Sequence, residues 1–225
     1  MKFKFILLLV FPILLGAQTQ KSDQIQNLPN DVKWVTDSEE YTLLCEQIYR
    51  TAWISIRSRL MNMDNPVIIM DLDETVLDNS QYQIDLHLKS KTYNATSWNK
   101  FVKKEISGLV PGVKQFIEQY KKKQNAIIIY LSNRDETTLK ATKNNMKKLG
   151  ILYNDDIFLL RADIDDTKKK RREEVFQGVG RMQNYGASKV IAYFGDAAGD
   201  FPNDKNYEFG INKFMFPNPM YGEWK

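Results

Sequence analysis

Four short apolar runs constrain this chain more than any other feature: Val67–Met70, Ala126–Leu131, Ile157–Leu160 and Val190–Phe194, with Lys213–Phe216 a candidate fifth. Each is short and apolar throughout, so each reads as a strand buried on both faces rather than one with a wet side. Helical stretches separate them. Val113–Lys123 is entered through Pro111-Gly112, Glu136–Leu149 stops at Gly150, and Lys168–Tyr185 precedes the fourth run. Strands alternating with helices predict an α/β fold, a central parallel sheet with helices on both faces. Residues 76–110 break the alternation directly after the first strand and read as an inserted small cap. Ahead of that strand, a helix is expected from Ser38 to Met63. Thr36 and Glu39 stand at capping-box spacing, and Tyr41, Leu44, Ile48, Ala52 and Ile56 recur on one face.

With 225 residues, 43% of them hydrophobic, the chain is large enough for one domain with a sizeable core. The formal charge of +4 demands no nucleic-acid polymer as partner but suits anionic small molecules. Lys2 and Lys4, the apolar run Phe5–Leu15 and the small pair Gly16-Ala17 have the layout of a secretory signal over residues 1–17. The run is short for a membrane anchor, so no stable membrane insertion is expected. Residues 18–35 read as a flexible polar segment and 36–225 as the folded domain. No cysteine follows the apolar run, so lipidation there is not available. The sole cysteine, Cys45, falls in the first helical pattern and reads as a small buried residue. A single histidine, His87, argues against a histidine zinc site and a Ser-His-Asp triad.

Chemistry gathers at the strand ends, where open parallel sheets place their sites. The first strand runs into Asp71-Leu72-Asp73-Glu74-Thr75. Acids one residue apart on a bending chain can face a common phosphate. One carboxylate can attack phosphorus, and its neighbour can protonate the leaving oxygen and then activate water. Thr75 offers a hydroxyl. By itself the motif is equally well read as a helix cap. The second strand ends in Leu131-Ser132-Asn133-Arg134, where Ser132 and Asn133 are candidate phosphate donors. The fourth ends in Gly195-Asp196-Ala197-Ala198-Gly199-Asp200, where Asp196 suits a hard cation and Asp200 would support it. Of the five consecutive cations Lys168–Arg172, one is expected to point inward against the clustered acids and the rest to face solvent.

Four such strand ends in this order resemble the haloacid dehalogenase (HAD) superfamily and its Rossmann-like fold. More narrowly, the chain resembles the class C acid phosphatases, the lipoprotein 5′-nucleotidase family. The resemblance rests on Val67–Asn79 with Tyr82 after it, Val110–Val113, Tyr130–Arg134, Phe194–Asp196, Pro217–Gly222 and Trp34–Tyr41. It implies an Mg²⁺-dependent phosphatase acting on phosphate monoesters, nucleoside 5′-monophosphates among them. Asp71 would be nucleophile and metal ligand. Asp73 would be general acid and base and a ligand through its backbone carbonyl, and Asp196 the third ligand. Ser132 and a lysine would hold the phosphate: Lys168 by its spacing from Arg171-Arg172, or Lys169. Trp98 and Tyr221, with Tyr82, would hold a base by stacking, unless these rings only pack the cap. Phosphotransfer to an alcohol and a non-catalytic phosphate- or nucleotide-binding role are the alternatives, and a homodimer is compatible with all of them. The chain departs from the family in lacking a lipid-bearing cysteine and in carrying Ala197 where asparagine is usual. Export to the periplasm or medium, without lipid, is the expected localisation.

Overall fold

The computed structural model describes residues 27–222. The signal-peptide reading of residues 1–17 and the first part of the flexible segment therefore lie outside the described residues. The elements are α1 (Asn30–Asp37), α2 (Glu39–Met61), β1 (Val67–Met70), β2 (Leu77–Asp78), α3 (Ser80–Leu88), α4 (Ala95–Val102), β3 (Gly108–Leu109), α5 (Val113–Lys121), β4 (Ile127–Asp135), α6 (Leu139–Lys148), β5 (Ile157–Arg161), α7 (Lys168–Gln177), β6 (Val190–Gly195) and β7 (Lys213–Met215). A five-stranded sheet runs in the order β5-β4-β1-β6-β7, and every pairing in it is parallel. The chain thus has the α/β architecture that its buried runs predict.

Alternation along β1 divides its side chains between two cores. Ile68 and Met70 join Ile128 and Tyr130 of β4 under α2, α5 and α6. Val67 and Ile69 join Ile129 and Leu131 on the opposite face, under α7. Helix α2 buries Tyr41, Cys45, Tyr49, Ala52, Ile56 and Leu60, one stripe at spacings of three and four. Full burial of each large apolar member is worth roughly 1.5–3 kcal/mol. Cys45 is a buried free thiol in that stripe.

Several local expectations are corrected. The polar segment expected to be loose through residue 35 is helical from Asn30, because Val32 and Val35 give α1 a stripe to bury. The cap of α2 is Ser38, whose hydroxyl accepts from the Tyr41 N–H at 3.1 Å. Thr36 instead donates to the Val32 carbonyl inside α1. Helix α7 ends well short of Tyr185. Gly178 adopts φ +66°, and a Cβ there would meet the Ala187 nitrogen at 2.3 Å, so the chain turns where only glycine fits. Between β1 and α5, residues 77–109 form a two-stranded antiparallel stem, β2–β3, carrying α3 and α4. Tyr82, Trp98, Phe101 and Val102 make a separate small core within that cap.

Candidate active site

The site forms beyond the carboxyl end of β1. The Asp71 N–H still donates to Phe194 of β6 at 2.9 Å, which ties the first acid to the sheet. The next residues close a tight loop, with Val76 and Leu77 both donating to the Leu72 carbonyl. Leu72, between Asp71 and Asp73, is fully buried. Glu74 takes the left-handed conformation, φ 51°, at the bend. Thr75 is fully buried: its hydroxyl has no partner, and its carbonyl accepts from the Tyr49 hydroxyl of α2. Within this fold Thr75 supports the loop.

Asp71, Asp196 and Asp200 bring carboxylate oxygens within 4.8 Å of one another. Lys168, the first residue of α7, sets its ammonium 2.7 Å from Asp71 and also on Asp200. Asp200 accepts the Ala197 N–H at 2.9 Å as well, and Asn218 donates to Asp196 at 2.8 Å. Burial and mutual repulsion push Asp71 and Asp196 up. Asp71 lies well above the ordinary carboxylate range, Lys168 opposing, and Asp196 rises to about 7 through burial and the Asp200 charge. Burial disfavours the charged form of Lys168, but Asp71 and Asp200 more than reverse that and hold its pKa above the ordinary lysine value. Asp200 approaches so closely that a Cβ on Gly195 would lie 2.3 Å from its Cβ.

Three of the five clustered cations point inward rather than one. Besides Lys168, Arg171 donates to the Ser132 carbonyl (2.5 Å), the Leu159 carbonyl (3.0 Å) and the Asn133 side-chain oxygen (2.6 Å). Arg172 donates to the Gly199 carbonyl at 2.9 Å. Lys169 and Lys170 are exposed, so Lys168 is the lysine that reaches the acids. The inward arginines escaped sequence reasoning because a run of cations carries no periodic signal. Their partners, carbonyls at strand ends, are visible only once the sheet is assembled. Asn133 is exposed, with its side-chain oxygen taken by Arg171, while Ser132 is buried and directs its hydroxyl toward Asp73 Oδ2 at 3.4 Å.

These strand-end residues lie within a larger match. The model of the HAD superfamily, subfamily IIIB (Acid phosphatase), matches residues 14–224. The chain belongs to the HAD acid phosphatases of subfamily IIIB. Solved structures agree. A class C acid phosphatase from Bacillus anthracis is 28% identical, with a TM-score of 0.73 over 90% of this chain and 86% of that one. The same enzyme with tungstate bound is 27% identical in the aligned region, with a TM-score of 0.72 over the same shares.

In this acid phosphatase the Asp71, Asp196 and Asp200 cluster suits a hard divalent cation. Every donor is a carboxylate oxygen, and the raised Asp71 and Asp196 show acids crowded beyond what Lys168 alone offsets. Asp200 lies beside Asp71 and Asp196, with one oxygen on Lys168 and the other on the Ala197 N–H. Asp73 turns its carboxylate elsewhere, to Arg134 at 2.7 Å and Asn79 at 3.0 Å. Tyr82 and Trp98 are buried in the cap, their rings 5.1 Å apart edge-on, and the Tyr82 hydroxyl pairs with Ser97. The ring that the cap leaves open is Tyr93, 61% exposed and edge-on to Tyr82. Tyr221 is half-buried in the tail that Asn218 fastens to Asp196. Asn79 and Arg134 stand inside segments that carry the family resemblance, but nothing in their spacing shows that they share Asp73.

Proposed function

We propose that this acid phosphatase hydrolyses phosphate monoesters, nucleoside 5′-monophosphates among them, through an aspartyl-phosphate on Asp71 with Mg²⁺ as cofactor. The observation that carries the reading is the Lys168 ammonium 2.7 Å from the Asp71 carboxylate, beside Asp196 and Asp200 and at the carboxyl end of the sheet. Asp71 and Asp196, with the Asp73 backbone carbonyl, would hold the cation and Asp200 would support it from beside them; when bound the cation would supply charge stabilisation to the phosphoryl oxygens.

The remaining work falls to side chains. Lys168 and Ser132 orient the phosphate. Asp71 attacks phosphorus, the bond to the leaving oxygen breaks with its electron pair, and Asp73 gives that oxygen a proton. Asp73 then takes a proton from water as the water oxygen attacks phosphorus, and Asp71 is released. Burial keeps bulk water away from Asp71, which is 5% exposed. Recognition of a base is supported by aromatic rings at the rim, with Tyr93 the accessible one and Tyr82 and Trp98 its packed support. Export rests on the pattern of residues 1–17. Among the described residues no helix is long and apolar enough to cross a membrane.

The test is release of inorganic phosphate from a panel of nucleotides, sugar phosphates and glycerol phosphate, with and without Mg²⁺. Release dependent on Mg²⁺ and strongest for nucleoside monophosphates is expected. Equal release after removal of divalent metal would reject the cofactor, and no preference for nucleotides would reject the substrate class.

A further inference from the structure

Among the described residues Arg134 is one of two arginines buried to 1% exposure or less, and no step above uses it. Its guanidinium reaches Asp73 Oδ1 through Nε at 2.9 Å and through the terminal nitrogen at 2.7 Å. Asn79 Nδ2 donates to the same oxygen at 3.0 Å. Oδ1 therefore accepts two N–H donors and carries the guanidinium charge against it, while Oδ2 meets only the Ser132 hydroxyl at 3.4 Å. The arginine is itself held from three sides. It donates to Thr142 Oγ1 at 3.1 Å and to Asn79 Oδ1 at 3.2 Å, and it lies 5.8 Å from the centre of the Trp98 ring. Asn79 is fixed in turn by the Ser107 hydroxyl at 2.7 Å and by its own N–H on Glu74 at 2.9 Å. A carboxylate oxygen saturated by fixed N–H donors cannot rotate freely or accept another proton, so proton exchange falls to Oδ2.

We propose that Arg134, with Asn79, is the positioning residue of the reaction: it pins Asp73 by Oδ1 so that Oδ2 faces the leaving oxygen. This rests on the reading of Asp73 as proton donor. Proton donation matters most where the departing oxygen is strongly basic, as in an alkyl phosphate, and least for p-nitrophenyl phosphate, whose phenolate leaves unaided. A mispositioned Asp73 should therefore discriminate between the two substrates, which a general loss of packing would not.

The experiment compares kcat/KM on glycerol phosphate and on p-nitrophenyl phosphate in wild type, Arg134→Ala, Arg134→Lys and Asp73→Asn, with folding checked by circular dichroism. A positioned general acid contributes about 10²–10⁴-fold, so Arg134→Ala should lose about 100-fold on glycerol phosphate and no more than about threefold on p-nitrophenyl phosphate. Added guanidinium ion, filling the vacated space, should restore part of the glycerol phosphate activity and leave the other substrate unchanged. Should Arg134→Ala not fold, Arg134→Lys carries the test: it keeps the charge, loses the fork and should show the same selectivity at about tenfold. Equal losses on both substrates, with no rescue by guanidinium, would overturn the proposal. Asp73→Asn, read by the rate of its first turnover on each substrate, separates the two levels. If that variant is selective and the Arg134 variants are not, Arg134 has no positioning role; if that variant is unselective, Asp73 is not the proton donor.

Discussion

Gly195→Ala is a one-carbon test of the site. An alanine Cβ would lie 2.3 Å from Asp200 Cβ and 2.4 Å from its Oδ2, where ordinary contact begins near 3.4 Å. Asp200 must therefore retreat by about 1 Å, and it is the residue that holds Lys168 and the Ala197 N–H. Overpacking of this kind costs about 1–3 kcal/mol. For a chain of this size that lowers Tm by roughly 2–4 °C per kcal/mol, so most of the protein stays folded at assay temperature. The chemistry should suffer more, because a 1 Å misplacement of a catalytic constellation costs about 100-fold. The assay is kcat on p-nitrophenyl phosphate alongside a thermal melt. Gly199→Ala is the matched control: nothing lies within 4 Å of the added carbon, and its activity and Tm should match wild type. A Gly195→Ala enzyme with wild-type kcat would refute the claim that Asp200 is pinned in the site.

Chelation with EDTA should abolish turnover and Mg²⁺ should restore it; full activity after exhaustive chelation and dialysis would remove the metal from the account. Tyr93→Ala and Tyr221→Ala should lower kcat/KM for AMP by about 5- to 150-fold, the equivalent of 1–3 kcal/mol of stacking, and leave glycerol phosphate unchanged. Trp98→Ala, by contrast, should lower Tm and impair both substrates, because its ring is in the cap core. Acid stability should depend on Asp166. Burial opposes its charge, but hydrogen bonds from Arg181 and the Ala162 N–H, with the charge of Arg171, hold its pKa below the usual range. A depressed carboxylate stabilises the fold above its unfolded pKa, about 4, and loses that as pH falls through the folded value. The Tm gap between wild type and Asp166→Asn should thus narrow in melts taken at progressively lower pH; a constant gap would deny the ion pair its role.

The sheet was legible because residues buried on both faces leave continuous apolar runs, and Val67–Met70 and Val190–Phe194 could be little else. The acids were legible because Asp71, Asp73 and Asp196 each stand within three residues of the end of such a run. Less was readable where partners are distant in sequence. Arg134 meets Asp73 across 61 residues, Arg171 meets the Ser132 carbonyl across 39, and Asn218 meets Asp196 from beyond β7. Helix ends were misplaced for a local reason: Gly178 stops α7 by its left-handed backbone inside a sequence that otherwise continues in polar residues. In the cap, composition showed aromatic residues but not which would be buried. Trp98 fills the interior and Tyr93, one of many tyrosines in the chain, is left outside.

The central claim is that phosphate passes through Asp71, and trapping that intermediate tests it most directly. Asp73→Asn should still be phosphorylated by p-nitrophenyl phosphate, whose leaving group needs no proton, but should lack the base that activates water. After mixing and acid quench, peptide mass mapping should find one phosphoryl group on Asp71, with nitrophenol released in a burst equal to the enzyme present. A burst without label on Asp71, or label on another residue, would contradict the account.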